Sequence, residues 1–274
     1  MIDKITRPLV FITGASSGIG AAAVSVFAAA GYNVILTARR KEKLDEIARR
    51  ASETYRDAQI IPLTCDVSSD DSVKAAFDQV AAKFDRLDVL INNAGYGVYG
   101  SVEKTPIDFF RANMETNYLG AIRCTQAALP LLRKAAAASR RRWGASIVMV
   151  SSIVGRRTIP NMSSYCATKF ALEALSETLR VELRDERIAV SVVNPGVTQT
   201  EFGHAAAGTR PDNFLQGGMS AEAVARVLLK AARRPRRNVY LTPAGKLGVF
   251  LQWISPRLVD QFFLRFVWRK TQNK

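Results

Sequence analysis

The chain has 274 residues, 48% of them hydrophobic, and a net charge of +15. That is enough apolar surface for one large core, and no run of 18 consecutive apolar residues marks a membrane-spanning helix. The charge suits an anionic partner, but its short scattered clusters come with no nucleic-acid-binding motif, so no nucleic-acid role is expected.

Three cysteines (Cys65, Cys124, Cys166) without a Cys-x-x-Cys pair, and a single histidine, His204, argue against a disulfide framework or a cysteine- or histidine-based metal centre. No metal is expected. The cysteines fit a reducing compartment, the cytoplasm, and residues 1–8 lack the long apolar stretch of a signal peptide.

Apolar runs at residues 9–13, 34–37, 59–63, 89–91, 146–150, 190–193 and 239–241 alternate with helical patterns near 18–30, 41–55, 70–84, 106–134, 163–185 and 220–233. Continuously apolar strands between helices imply a parallel sheet covered on both faces. Right-handed crossovers make it doubly wound. The sequence therefore predicts an α/β fold: a single Rossmann-type doubly wound parallel sheet of about seven strands, occupying 1–245. An amphipathic helical extension, 246–274, follows.

The first predicted strand runs into Thr13-Gly14-Ala15-Ser16-Ser17-Gly18-Ile19-Gly20, with a helix after it. The spacing is Gly-x-x-x-Gly-x-Gly, not Gly-x-Gly-x-x-Gly. Glycines at this place let the backbone approach a pyrophosphate, which then sits on a helix N-terminus. The second strand leads into Ala38-Arg39-Arg40-Lys41, where an acid would bind the ribose 2′-hydroxyl of NAD. With no carboxylate to repel it and Arg39 able to grip it through two hydrogen bonds, a 2′-phosphate is favoured, so the expected cofactor is NADP (NADPH). Within 163–185, Tyr165 and Lys169 lie four apart, on one face of a helix. A fixed positive charge beside the phenol is expected to pull its pKa from about 10 toward neutrality, giving a proton donor for cellular pH. Cys166 beside it reads as a small helix residue pointing elsewhere.

In these motifs the chain resembles the short-chain dehydrogenase/reductases (SDR family) over roughly residues 8–241. The resemblance rests on the glycine turn (Gly14, Ser16, Ser17, Gly18, Ile19, Gly20), Asp66-Val67, Asn92-Asn93-Ala94-Gly95, Asn117, Ser152, the Tyr165-x-x-x-Lys169 signature, and Pro195-Gly196-Val197 with Thr200. Ser152 stands 13 residues before Tyr165, the family spacing, and is preferred to Ser151 for that reason. The resemblance implies that Asp66 and Val67 hold the adenine, that Asn93, Ala94 and Gly95 line the cofactor, and that Pro195 to Thr200 contact the nicotinamide. It implies a tetrad of Asn117, Ser152, Tyr165 and Lys169. Ser152 and Tyr165 bind the substrate oxygen, Tyr165 is the general acid/base, Lys169 lowers its pKa, and Asn117 holds a water relaying protons to Lys169. Arg39 and Arg40 complete the cofactor set. The implied activity is NADP-dependent interconversion of a carbonyl and a hydroxyl group. One variant is a ketoreductase served by an acidic acyl carrier protein, which the charge suits although the tail is foreign to that form. The rival reading is a non-catalytic NADP-binding sensor or scaffold.

Residues 96–100, 153–161 and a long 197–219 segment read as a lid should face the substrate, and their apolar and aromatic content points to a small hydrophobic carbonyl or alcohol. His204 in the lid reads as a solvated loop residue. A helix over 257–270 would place Arg257, Gln261, Arg265 and Arg269 in one row, with Leu258, Val259, Phe262, Phe263, Phe266 and Val267 opposite. Such a face fits packing over the pocket or against a second subunit first, with peripheral membrane contact through 249–270 as the alternative. The family implies a homo-oligomer, dimer or tetramer.

Overall fold

In the computed structural model, which describes residues 7–200, 207–208 and 218–268, the seven apolar runs become the seven strands of one parallel sheet. The chain forms β1 (Leu9–Thr13), α1 (Gly18–Ala29), β2 (Asn33–Ala38), α2 (Lys41–Thr54), β3 (Ile60–Thr64), α3 (Asp70–Lys83) and β4 (Val89–Asn92). The short β5 (Val98–Tyr99) and α4 (Ile107–Met114) follow, then a π turn over Glu115–Leu119 and α5 (Gly120–Ala138). Next come β6 (Ala145–Val150), α6 (Ser163–Glu182), β7 (Ile188–Asn194), β8 (Thr198–Gln199), β9 (Ala207–Gly208) and β10 (Met219–Ser220). The described chain ends with α7 (Ala221–Arg233), β11 (Asn238–Tyr240), α8 (Pro243–Ile254) and α9 (Pro256–Phe263), the last running into a π turn over Leu264–Trp268.

The sheet order is β11-β7-β6-β4-β1-β2-β3. Register pairs Val10 with Val34 on one side and Val89 on the other. Alternation along β1 divides the core. Leu9 and Phe11 pack with Phe77 of α3, Leu132 of α5 and Leu172 of α6. Val10 and Ile12 pack with Phe27 of α1, Leu44 of α2 and Leu228 of α7 on the opposite face. Phe11 and Phe77 stack at 4.5 Å between ring centroids, each such buried side chain contributing about 1.5–3 kcal/mol. Pro62 is tolerated in β3 because that edge strand has one neighbour only.

The chain leaves β1 toward β2 and β3, then returns to β4 on β1's other side. This reversal opens a crevice at the C-terminal ends of β1 and β4, where ligands bind in open α/β sheets. Helix starts differ there. α3 is capped by Ser69, which accepts from the Ser72 N–H, and has Asp70 and Asp71 in its first turn. α2 begins instead on Arg40 and Lys41 with no side-chain cap bond.

Two expectations change. The helix at 106–134 is interrupted by the π turn, which carries Asn117. The tail is two helices, because the chain breaks at Ser255 and Pro256 restarts it at a first-turn position that needs no N–H donor. Of the expected lid, β8 pairs with β10 and β9 with β5, tying the described parts to the rest. His204 and Arg269, and the side chains of Phe266 and Val267, lie outside the described residues.

Candidate active site

Thr13, at the end of β1, laces the crevice. Its hydroxyl donates to the Ile91 carbonyl (3.3 Å) and accepts from the N–H groups of Asn93 and Ala94, both at 2.9 Å. The Asn93 amide returns bonds to the carbonyls of Thr13 (2.9 Å) and Gly14 (3.2 Å). Gly14 turns the chain at φ +67°, and a Cβ there would come within 2.7 Å of the Ala94 Cα. At Gly20 a Cβ would run into the Gly14 carbonyl oxygen. The turn thus presents the first N–H groups of α1 to the crevice, and Ser17 caps that helix without a side-chain bond of its own.

Beyond β2 the exposed Arg40 donates through Nε and Nη2 to the Ser16 hydroxyl, at 3.2 and 3.0 Å. Lys41 is taken by Asp45 at 2.6 Å. Arg39 is exposed and lines the same crevice. Asp66 accepts from the N–H and hydroxyl of Ser68 with a single carboxylate oxygen, at 3.0 and 2.6 Å. Burial opposes its charge, but these bonds and the fields of Arg39 and Arg123 outweigh it and hold the carboxyl below its usual range.

At the other end, α6 sets Tyr165 and Lys169 side by side, 8% and 4% exposed. The Lys169 ammonium donates to the Val150 carbonyl at 2.8 Å and lies 5.6 Å from the centre of the Tyr165 ring. The Ser152 hydroxyl donates to the Pro195 carbonyl (3.4 Å), accepts from the Val154 N–H (3.3 Å), and shares a hydrogen bond with Tyr165. Ser151 points instead at the Lys169 carbonyl, 3.5 Å away. The expected fall in the phenol pKa is not found. Burial pushes Tyr165 above its ordinary value despite the bond from Ser152, and pulls Lys169 down to about 8 against the field of Glu173. The ammonium is spent on a carbonyl, and both groups lie in a medium that disfavours charge, so desolvation outweighs their attraction in the protein alone. Burial also pushes the Cys166 thiol up, among Tyr99, Met162 and Tyr165.

One cavity of about 1190 Å³ joins these parts. It is lined by Gly14, Ser16, Ser17, Gly18 and Ile19, by Arg39, Arg40, Asp66, Val67, Asn93, Ala94 and Gly95, and by Ser152, Tyr165, Lys169, Pro195, Gly196, Val197 and Thr200. Gly20 and Asn117 stand behind the wall. The Asn117 carbonyl oxygen accepts from the Tyr96 N–H at 3.0 Å, while its amide donates to the Tyr96 carbonyl and the Thr168 hydroxyl, each at 3.0 Å. Its side chain therefore braces the turn after β4 against α6 and leaves no group facing the cavity. Phe262 and Phe263 also line it, as packing of the C-terminal helix over the pocket would have them, and so does Met162, to which the sequence reading gave no part. A cavity of this size, lined by the glycine turn, by Arg39 and Arg40 and by Asp66 within the field of Arg39, fits a dinucleotide cofactor. Among the described residues no cluster of three or more metal-binding side chains occurs.

A doubly wound sheet with such a cavity at its point of reversal defines an α/β protein of the dinucleotide-binding class. The chain belongs to the short-chain dehydrogenase/reductase family: the family profile described as "short chain dehydrogenase" matches residues 8–210. It is 33% identical over 264 residues to "Dehydrogenase/reductase SDR family member 7B" of Mus musculus, covering 93% of this chain and 79% of that protein. Among solved structures it resembles an alcohol dehydrogenase from Thermococcus sibiricus complexed with 5-hydroxy-NADP (TM-score 0.74, 28% identity, 85% of this chain and 95% of that one). It also resembles a short-chain dehydrogenase from Sphingobium yanoikuyae in complex with NADPH (TM-score 0.75, 28% identity, 95% and 96%).

Proposed function

We propose that the chain is an NADP-dependent oxidoreductase that interconverts a carbonyl and a hydroxyl group on a hydrophobic substrate, with Tyr165 as general acid/base. The observation that carries this is the single cavity running from the Arg39–Arg40–Ser16 corner to Ser152, Tyr165 and Lys169. Arg39 and Arg40 hold the 2′-phosphate, the turn at Gly14 to Gly20 the pyrophosphate, and Asp66 the adenine. When bound, the reduced nicotinamide supplies the hydride. Ser152 holds the substrate oxygen by its hydroxyl, and Tyr165 gives that oxygen a proton. Lys169, one helical turn on, stabilises the phenolate left behind. A raised phenol pKa keeps Tyr165 protonated at neutral pH, which suits carbonyl reduction.

The NADP-complexed relatives support the cofactor, and the aliphatic and aromatic wall supports an apolar substrate. The domain reading is kept: a catalytic unit through residue 245 with a lid at 197–219, then a helical extension over 246–274. Exposed Phe170 and Val181 on α6, with Ile107 and Phe109 on α4, support a homo-oligomer. We place the protein in the cytoplasm, at a membrane surface.

The test is Tyr165→Phe. NADPH-dependent turnover of a carbonyl panel should fall by at least about 10³-fold, while NADPH binding, followed by cofactor fluorescence, stays as in wild type. Wild-type protein that binds NADPH yet turns over nothing in the panel would instead make it a sensor or scaffold.

A further inference from the structure

Behind the turn of α6 that carries Tyr165 and Lys169 lies a buried ion pair. The Glu173 side chain is 3% exposed. Its Oε2 accepts from the Arg156 Nε at 3.0 Å and lies 2.8 Å from the Arg156 Nη2. The same Nη2 reaches the exposed Glu177, one turn further along α6, at 2.6 Å. Arg156 directly follows a 3₁₀ turn over Ile153–Gly155, whose first N–H groups are capped by Ser152. That turn is pressed onto α6 at Lys169. A Cβ on Gly155 would sit 2.6 Å from the Ser151 hydroxyl oxygen and 3.0 Å from the Lys169 carbonyl oxygen. The ion pair thus fastens the segment that follows Ser152 to the helix that carries Tyr165 and Lys169.

Glu173 stands four residues after Lys169, on the same face of the helix. The Lys169 ammonium is buried and donates to the Val150 carbonyl. A carbonyl takes a hydrogen bond but brings no charge, and a buried cation needs an opposite charge. Glu173 supplies it: burial pulls Lys169 down, and the field of Glu173 works against that. Glu173 in turn depends on its neighbours. Burial pushes its carboxyl up, and Arg156 holds it down, followed by Ser151 and by Arg180 on its own helix. From β11, the Asn238 amide donates to Oε2 at 3.3 Å when oriented to satisfy its own groups, and Tyr240 lies within the field of the carboxylate.

We propose that Glu173 is a positioning residue for the reaction: a buried counter-charge, held by Arg156, that keeps the Lys169 ammonium charged for its work on the Tyr165 phenol. This rests on the reading of the site as that of a carbonyl–hydroxyl oxidoreductase. Neither Glu173 nor Arg156 lines the cavity, so the pair acts through Lys169.

The test reads Lys169 itself. The full chain, labelled with carbon-13 at the lysine ε-position, is titrated by NMR. The Lys169 signal is assigned by its loss in Lys169→Met and stands apart from exposed lysines, which titrate near about 10.4. In wild type its midpoint should lie at about 8. Glu173→Gln keeps the shape of the side chain and leaves Arg156 tied to α6 through Glu177, so it removes the charge alone. It should lower the midpoint by about one pH unit, and the basic limb of kcat/KM for NADPH-dependent reduction should move to lower pH with it. Glu173→Asp, which restores the charge, should recover most of the loss. Arg156→Leu should move the midpoint the same way by less, and it carries the test if Glu173→Gln does not fold. A midpoint that either variant leaves where wild type has it overturns the proposal. So does a lowering that Glu173→Asp shares in full, since Glu173 would then serve packing only. A wild type that shows the expected midpoints but turns over no carbonyl sinks the oxidoreductase reading instead, because the NMR titration needs no substrate.

Discussion

Arg39 occupies the place where a carboxylate would meet a ribose 2′-hydroxyl, and among the described residues no ion pair holds it, whereas most cations of α2 are paired. Lys41 pairs with Asp45, Arg49 with Glu53, and Arg50 with Glu46. Arg40 is bonded to Ser16, so a 2′-phosphate would enter a corner already shaped by that contact. Arg39→Asp exchanges a charge-assisted phosphate contact for repulsion. It should raise the KM for NADPH by about 10²-fold or more relative to that for NADH. Steady-state kinetics with both cofactors check this, and an unchanged ratio would remove Arg39 as the selector. At the other end of the cavity, the phenol–lysine pair was found from its spacing, whereas its electrostatics were not. Spacing reports which groups share a helix face. Burial, which reverses the expected shift, depends on how elements distant in sequence pack around the pair.

The interruption between α4 and α5 shows what element-level reading reaches and where it stops. Periodicity over 106–134 announces one helix, and the structure keeps that path but inserts a π turn at Glu115–Leu119. The turn carries Asn117, which takes up both backbone groups of Tyr96 and the Thr168 hydroxyl. Asn117→Ala takes the partner of the Tyr96 N–H, while the Tyr96 carbonyl keeps Asn113 and the Thr168 hydroxyl keeps the Tyr165 carbonyl, and should cost about 1–3 kcal/mol of stability, measured by urea unfolding. It should also speed hydrogen exchange at the Tyr96 amide well beyond that of distant amides. Unchanged exchange there would mean the brace is not what holds the turn. The strands were legible because buried parallel strands are continuously apolar, and their ends shifted by only a residue or two, as with β7 starting at Ile188. The glycine turn was legible because few other sequences make it. The π turn was not, since it depends on which side chains meet across the fold and not on local pattern, whereas the break at Ser255 follows from the local signal of Pro256.

At the scale of the whole molecule, the uneven surface of the C-terminal helices asks for a partner. Leu247, Phe250, Leu251, Ile254 and Leu258 are all exposed on α8 and α9, and Trp253 is 84% exposed. An apolar patch of this kind marks an interaction site. Among the described residues of 243–265 its charges are Lys246, Arg257 and Arg265 against Asp260 alone, a balance that matches an anionic lipid surface. No helix of the described residues is long and apolar enough to cross a membrane. Because α9 also contributes Phe262 and Phe263 to the cavity, a lipid-facing patch on these helices would border the proposed substrate site and give an apolar substrate a short path into it. In flotation, the full chain should rise with phosphatidylcholine vesicles containing phosphatidylserine, rise less with phosphatidylcholine alone, and be released by salt. The triple variant Phe250→Ser, Trp253→Ser, Ile254→Ser changes exposed positions only, so it should still bind NADPH yet remain at the bottom of the gradient. Equal flotation of wild type and variant would remove the membrane reading. So would a wild type that never floats but whose oligomer falls apart with the triple substitution, because the patch would then be covered by a second copy of the chain.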